Sequence, residues 1–448
     1  MSARTDAIEA VRRAARPLRS AADLGFVVEA IGDAETILLG EASHGTREFY
    51  RLRALITQRL IESGRCDAIA VEADWPDALQ VSRHVQRGRG GPEALQCFER
   101  FPRWMWRNRE VERLVQWLAA HNASRGGEGR APVGFFGIDL YSLRGSMDAV
   151  LRFLAQADPE GAKRARERYA CFDHLAEDAQ RYGYAATFGL RPSCEEQAVQ
   201  QLTELLGRAA EHFRHDGSAD DDELFYAQQN ARVVRNAEAY YRAMFQGRVS
   251  SWNLRDTHMA DTLLALREHL GARLGRAPRI VVWAHNSHLG DARATEMGEG
   301  GEINVGQLVR ERRAELGRSY LLGFTTHTGS VTAAHDWDEP PQHMKVRPSH
   351  LDSHERLLHD ALAADFWLPL DGQSEVRDAL HMQLLERAIG VIYRPDSERV
   401  SHYFHADLPR QFDALIHVDE THAVAPLDPP CDWPHEDEKV PETYPSGL

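Results

Sequence analysis

Four times in this chain a short apolar run stops on an ionisable residue, and helical stretches separate the four. Thr36-Ile37-Leu38-Leu39-Gly40 leads into Glu41 and His44, and Ala68-Ile69-Ala70-Val71 leads into Glu72 and Asp74. Val133-Gly134-Phe135-Phe136-Gly137-Ile138 ends at Asp139, and Ile280-Val281-Val282-Trp283 ends at Ala284-His285-Asn286-Ser287-His288. Runs this short, without polar alternation, fit strands buried on both faces. After the first, Phe49, Leu52, Leu55, Ile56, Leu60 and Ile61 recur at helical spacing. After the second, Pro76 suits a first helical turn. Residues 320–324, 390–393 and 414–418 read as further strands, and residues 6–30 as amphipathic helix interrupted at Pro17. Strands alternating with helices predict an α/β fold, a mostly parallel central sheet flanked by helices.

Between residues 146 and 275 no such run occurs, and the period is helical throughout. That stretch reads as a long all-helical insertion or cap. Residues 1–145 and 276–425 then form the α/β core, and 426–448, with six prolines and many acids, a tail.

Charge narrows the partners. With 53 Lys+Arg against 68 Asp+Glu the net charge is −15, and no long basic block breaks the pattern. A nucleic-acid or anionic-membrane binder is therefore not expected. No apolar run approaches the roughly 18 residues of a membrane span. The N-terminus carries acids where a signal peptide would be apolar. Cys66, Cys97, Cys171, Cys194 and Cys431 are scattered without a CxxC, which fits a reducing cytoplasm better than a disulfide framework. The expectation is a cytoplasmic protein whose partner is a small molecule.

In open α/β sheets ligands sit beyond the carboxyl ends of the strands, where these ionisable residues fall. His44, on a glycine-flanked strand-to-helix turn, is a candidate general base, with Glu41 and Glu72 to orient it. Arg53, farther along the following helix, is a candidate anion or oxyanion partner. His285 and His288 follow the fourth strand. With Glu41, His44 and Glu72 they also make a mixed set able to bind a divalent metal. A rival nucleophile is Ser43, but Glu41 occupies the first glycine position of G-x-S-x-G. No GxxxxGK[ST] phosphate loop is present. His354-Glu355 with His359 misses the H-E-x-x-H spacing by one residue and reads as a helix with exposed histidines. Phe98, Phe101, Trp104 and Trp106 with Arg103, Arg107 and Arg109 read as packing before ligand stacking.

Taken in order, Gly40-Glu41-Ala42-Ser43-His44-Gly45-Thr46 with Glu48-Phe49 and Arg53, Val71-Glu72-Ala73-Asp74-Trp75-Pro76, Gly137-Ile138-Asp139, Trp283-Ala284-His285-Asn286-Ser287-His288-Leu289 and Phe412-Asp413-Ala414-Leu415-Ile416-His417 resemble the erythromycin esterase family. The resemblance covers nearly all of the chain except the tail. It implies an α/β core with a helical insertion, and hydrolysis of the macrolactone ester of macrolides without a metal. By position it gives His44 the role of water-activating base, with Glu41, Glu72 and His285 as catalytic partners. Arg53, His288 and Asp74 become substrate or oxyanion contacts. Three readings follow: a cofactor-free ester or lactone hydrolase; a divalent-metal hydrolase using Glu41, His44, Glu72 and His285; or a non-catalytic ligand-binding homologue.

Overall fold

The computed structural model describes residues 3–88, 92–125, 131–175, 186–187, 193–212, 220–370, 372, 374–430 and 433. Most of the stretch read as a tail lies outside them. Eleven strands are present among the described residues: β1 Arg16–Pro17, β2 Thr36–Leu39, β3 Ala68–Asp74, β4 Gly134–Asp139, β5 Ile280–Trp283, β6 Ser319–Ala333, β7 Gln342–Val346, β8 Phe366–Pro369, β9 Leu384–Arg387, β10 Tyr403–Ala406 and β11 Ala414–Thr421. Nine form one sheet in the order β1-β8-β11-β6-β2-β5-β3-β4, with β7 attached to β6. From β11 to β4 all neighbours are parallel; β8, β1 and β7 add antiparallel edges. The fold is α/β with a mostly parallel central sheet flanked by helices.

Strand alternation sends consecutive side chains to opposite faces, and both faces are covered. Ile37, Leu39, Ile69, Val71, Val281 and Trp283 pack with Val27 and Ile31, Ile56 and Leu60, and Val111 and Leu118. Those belong to helices Leu24–Ile31, Arg47–Glu62 and Arg109–Arg125. Leu38, Ala68, Ala70, Ile280 and Val282 pack instead with Ala7 and Val11 of helix Ala3–Ala14, and with Met259, Leu263 and Leu266 of helix Arg248–Leu274. The chain runs from β2 to β3 and β4 on one side, then from β5 to β6 on the other. That reversal opens a crevice beyond the carboxyl ends of β2, β5 and β3.

Three details differ from the sequence reading. The 6–30 stretch is two helices, because Pro17, lacking an N–H, leaves the helix and pairs at the sheet edge as β1. Residues 390–393 are not a strand; Ile389 and Tyr393 fill a small apolar cluster with Val331, Ala333 and Val346, while β9 and β10 form a separate two-stranded sheet. Cys171 and Cys194, far apart in any motif sense, are bonded as a disulfide with Cα atoms 6.0 Å apart. Helix packing brings them together, which spacing alone does not reveal. Both lie in the apolar cluster of helices Leu143–Ala157, Pro159–Tyr169, Glu195–His212 and Asp220–Ala243, and no strand occurs among the described residues between β4 and β5. Among the described residues no helix is long and apolar enough to cross a membrane.

Candidate active site

The turn after β2 is held by backbone bonds to three distant segments. His44 N–H donates to the Ile389 carbonyl at 3.3 Å, and Gly45 O accepts from Thr332 and Val424 N–H at 3.0 and 2.9 Å. A Cβ at Gly45 would stand 1.8 Å from the Thr332 carbonyl oxygen, so only glycine lets the turn lie against β6. Gly45→Ala is expected to cost about 3 kcal/mol in urea melts, since both neighbours are backbone. Held this way, His44 points Nδ1 at Glu41 Oε1, 2.9 Å away. Glu41 Oε2 accepts from the Arg53 guanidinium, which is fully buried and stacks over the Tyr50 and Trp283 rings at 4.7 and 4.8 Å. Arg53 therefore lies behind Glu41 and anchors it. It does not line the cavity, which corrects its expected place as a direct substrate contact.

The register of β3 against β4 shifts between Val71 and Asp74, a bulge of the kind that re-aims side chains beside functional sites. Gly137 makes room for it, since a Cβ there would meet the Ala73 carbonyl oxygen at 2.4 Å. Glu72 Oε2 accepts from the His285 backbone N–H at 2.9 Å, and Oε1 from Arg255 Nη2 at 2.7 Å. Arg255 also grips Asp139 through two bonds of 3.0 and 2.7 Å. Burial pushes the Glu72 carboxyl up, but His288, Arg255 and His44 outweigh it and hold it well below the usual carboxylate range. Asp139 is lowered too, burial being overcome by Arg255. Asp74 Oδ2 accepts from Arg100 at 2.9 Å; burial still raises this carboxyl.

His285 caps the short helix Asn286–Leu289, and its Nδ1 accepts from Ser287 N–H at 3.2 Å. The ring proton then sits on Nε2, which has no partner. Burial, followed by the nearby His44, lowers its pKa to about 3, so the ring is neutral and offers an N–H donor. Its centroid is 5.0 Å from that of His44. His288 is buried farther back, with Nδ1 on Asp256 at 2.9 Å and its ring stacked on Trp252. Burial opposes charging His288, yet Asp256 and Glu72 prevail and raise its pKa.

A cavity of about 180 Å³ opens over these groups, lined by His44, Glu72, Asp74, Asp77, Asp139 and Arg255 among others. Phe98, Phe101, Met105 and Trp106 form an apolar wall, and Trp337 from the β6–β7 hairpin meets Phe101 at 5.0 Å. The aromatic cluster is thus both packing and cavity wall, while Arg107 and Arg109 pair elsewhere, with Asp428 and Glu112. Ser43 bonds to Thr46, not to His44, and is buried, so no nucleophile elbow forms. His354 is buried, with Nε2 on the Ala406 carbonyl, and half-buried His359 bonds Asp419; the expected exposed histidines are in fact structural.

The structure thus brings His44, Glu72 and Asp74 to the cavity wall, with Glu41, Arg53, His285 and His288 in the layer behind. Sequence reasoning missed Arg255, Asp256, Arg100 and Asp77. The one signal for the arginines was the excess of acids at strand ends, which demands buried cations from somewhere. Donors for a metal are spoken for: Glu41 by His44 and Arg53, Glu72 by Arg255 and the His285 N–H, His285 Nδ1 by Ser287. Among the described residues no group of three His, Cys, Asp or Glu is arranged to hold a metal ion.

Comparison with known proteins places the fold and the family. A curated relative, erythromycin esterase type II from Escherichia coli, is 24% identical over 325 residues, covering 68% of this chain and 71% of that one. Among solved structures, a succinoglycan biosynthesis protein superposes with a TM-score of 0.75 at 20% identity, covering 94% of this chain and 98% of its own. A Bacillus cereus protein gives 0.74 at 17%, covering 95% and 99%. A mutant of the erythromycin esterase EreC in its open conformation gives 0.64 at 17%, covering 91% and 96%. The family model for erythromycin esterase matches residues 61–421, a span that holds Glu72, Asp139, Arg255, His285 and His288 and begins after His44. The chain belongs to the erythromycin esterase family.

Proposed function

We propose that this protein hydrolyses an ester or lactone by direct attack of a water molecule activated at His44. The observation that carries the reading is the His44–Glu41–Arg53 chain. Glu41 takes the Nδ1 proton side of the ring, so Nε2 is left as the basic nitrogen. The ring of His285, buried beside His44 with its centroid 5.0 Å away, packs behind the base and helps to hold it in place. No covalent intermediate is needed: Ser43 is turned to Thr46, and a water with a base beside it suffices. Glu72 and Arg255 hold the His285 loop and the floor of the cavity.

The cavity is smaller than the roughly 300–1,000 Å³ typical of drug-sized ligands, so it admits the reacting end of an ester before a whole macrocycle. Small lactones and esters are therefore expected to turn over more readily than macrolides. Mass spectrometry on a panel of both checks this: products heavier than substrate by one water are expected, with no acyl adduct on the protein. Activity should survive exhaustive chelation and the Ser43→Ala change. Loss on chelation, restored by Mn²⁺ or Zn²⁺, would move the reaction to a metal-activated water. Tight binding without product would leave a ligand-binding protein.

A further inference from the structure

Hydrolysis needs a proton delivered to the leaving oxygen as well as one taken from water. Four carboxyl groups share the cavity with His44: Glu72, Asp74, Asp77 and Asp139. Three are committed to cations, since Glu72 and Asp139 share Arg255 and Asp74 holds Arg100. Asp77 differs. It sits in the first turn of helix Trp75–Gln86, and among the described residues its side chain has no hydrogen bond or ion pair. The apolar wall of Phe98, Phe101, Met105, Trp106 and Val391 lines the same cavity, where Asp77 is itself half-buried.

We propose that Asp77 is the general acid of this site, giving its carboxyl proton to the leaving alkoxide while His44 serves the attacking water. The assignment rests on the hydrolytic reading above. Each step balances. His44 Nε2 takes a proton from water as the water oxygen bonds to the carbonyl carbon, and the carbonyl pair moves onto oxygen. When the tetrahedral species collapses, the bond to the leaving oxygen breaks with its electron pair, and that oxygen takes the proton of Asp77. Acid and alcohol depart, and solvent carries the proton of His44 back to Asp77. The surroundings suit the role: burial, then the neighbouring Asp74, pushes the Asp77 carboxyl up to about 7, with Glu99 adding to the rise and Arg100 opposing it. A carboxyl still protonated near neutrality can donate; an ordinary aspartate cannot.

The test compares two esters of one acid, an alkyl ester with a poor leaving group and a nitrophenyl ester that needs no proton on departure. Asp77→Asn is expected to lower kcat/KM on the alkyl ester by about 100-fold and on the nitrophenyl ester by less than about 3-fold. In the wild type, alkyl-ester kcat/KM falls as pH rises through 7, because Asp77 must be protonated; the nitrophenyl ester lacks that limb. The retained nitrophenyl rate also reports that the variant is folded. Equal losses on both esters, or no loss on either, would overturn the assignment and leave the hydrolytic reading intact. Failure of the wild type to turn over any ester would remove that reading, and the acid with it.

Discussion

Replacing His44 with alanine is expected to lower kcat for ester hydrolysis by about 10³-fold or more, with little change in KM or Tm. The size of the effect follows from the ring's position. His44 lines the cavity, its Nδ1 is tied to Glu41, and among the described residues no other histidine lines that cavity. The neighbouring His285 has its basic nitrogen engaged by Ser287 and presents an N–H instead. The fold should tolerate the change because Glu41 keeps its bond to Arg53, so no buried carboxylate is orphaned. Glu41→Ala is different: it strands Arg53, fully buried, without its counter-charge, and should cost stability as well as rate. Steady-state kinetics beside thermal melts separate the two. A His44→Ala enzyme with near-normal kcat would place the base elsewhere.

The parallel strands were legible because each is a run of apolar residues buried on both faces, a local signal that tertiary context has no reason to override. The acids and histidines beyond those runs were legible for the same reason, since a strand's carboxyl end fixes where the next residues emerge. Glu41, His44, Glu72, Asp74 and His285 could therefore be brought to one end of the sheet from sequence order alone. Depth within the crevice could not. Whether Arg53 faces substrate or backs a carboxylate depends on which side of its helix meets Trp283, a contact between residues far apart in the chain. Arg255 was hidden more thoroughly, because it comes from a helix separated from β3 by almost the whole insertion, with no fixed spacing to the acids it serves. β8 is an apolar run of only four residues closed by proline, and the β9–β10 pair is short and mixed in polarity. Their pairing is decided by neighbours, not by a periodic pattern. The Cys171–Cys194 bond belongs to the same class of long-range fact.

Arg255→Met should have the largest effect on stability, about 3–5 kcal/mol at neutral pH, because it leaves two buried carboxylates without the cation they share. Glu72 and Asp139 are each at most 5% exposed, and Arg255 only 13%. The pH dependence identifies the cause. In the wild type both carboxyls titrate below their ordinary values of 4.5 and 3.8, so their contribution is present above those values and is lost as pH falls. Without Arg255 both carboxyls rise instead. Near neutrality the folded state must then either keep an uncompensated charge or take up a proton. As pH falls toward the ordinary values, the unfolded chain takes up those protons as well and the penalty fades. Urea melts at pH 7.5 and pH 5 should thus show a larger deficit at the higher pH, and adding Asp139→Asn should recover part of it at neutrality. A deficit equal at both pH values would trace to lost packing of the Arg255 stem against Tyr141, whose ring lies 4.9 Å from the guanidinium, instead of to charge. Activity should fall too, because Glu72 accepts the His285 backbone N–H and so fixes the loop whose ring packs beside His44.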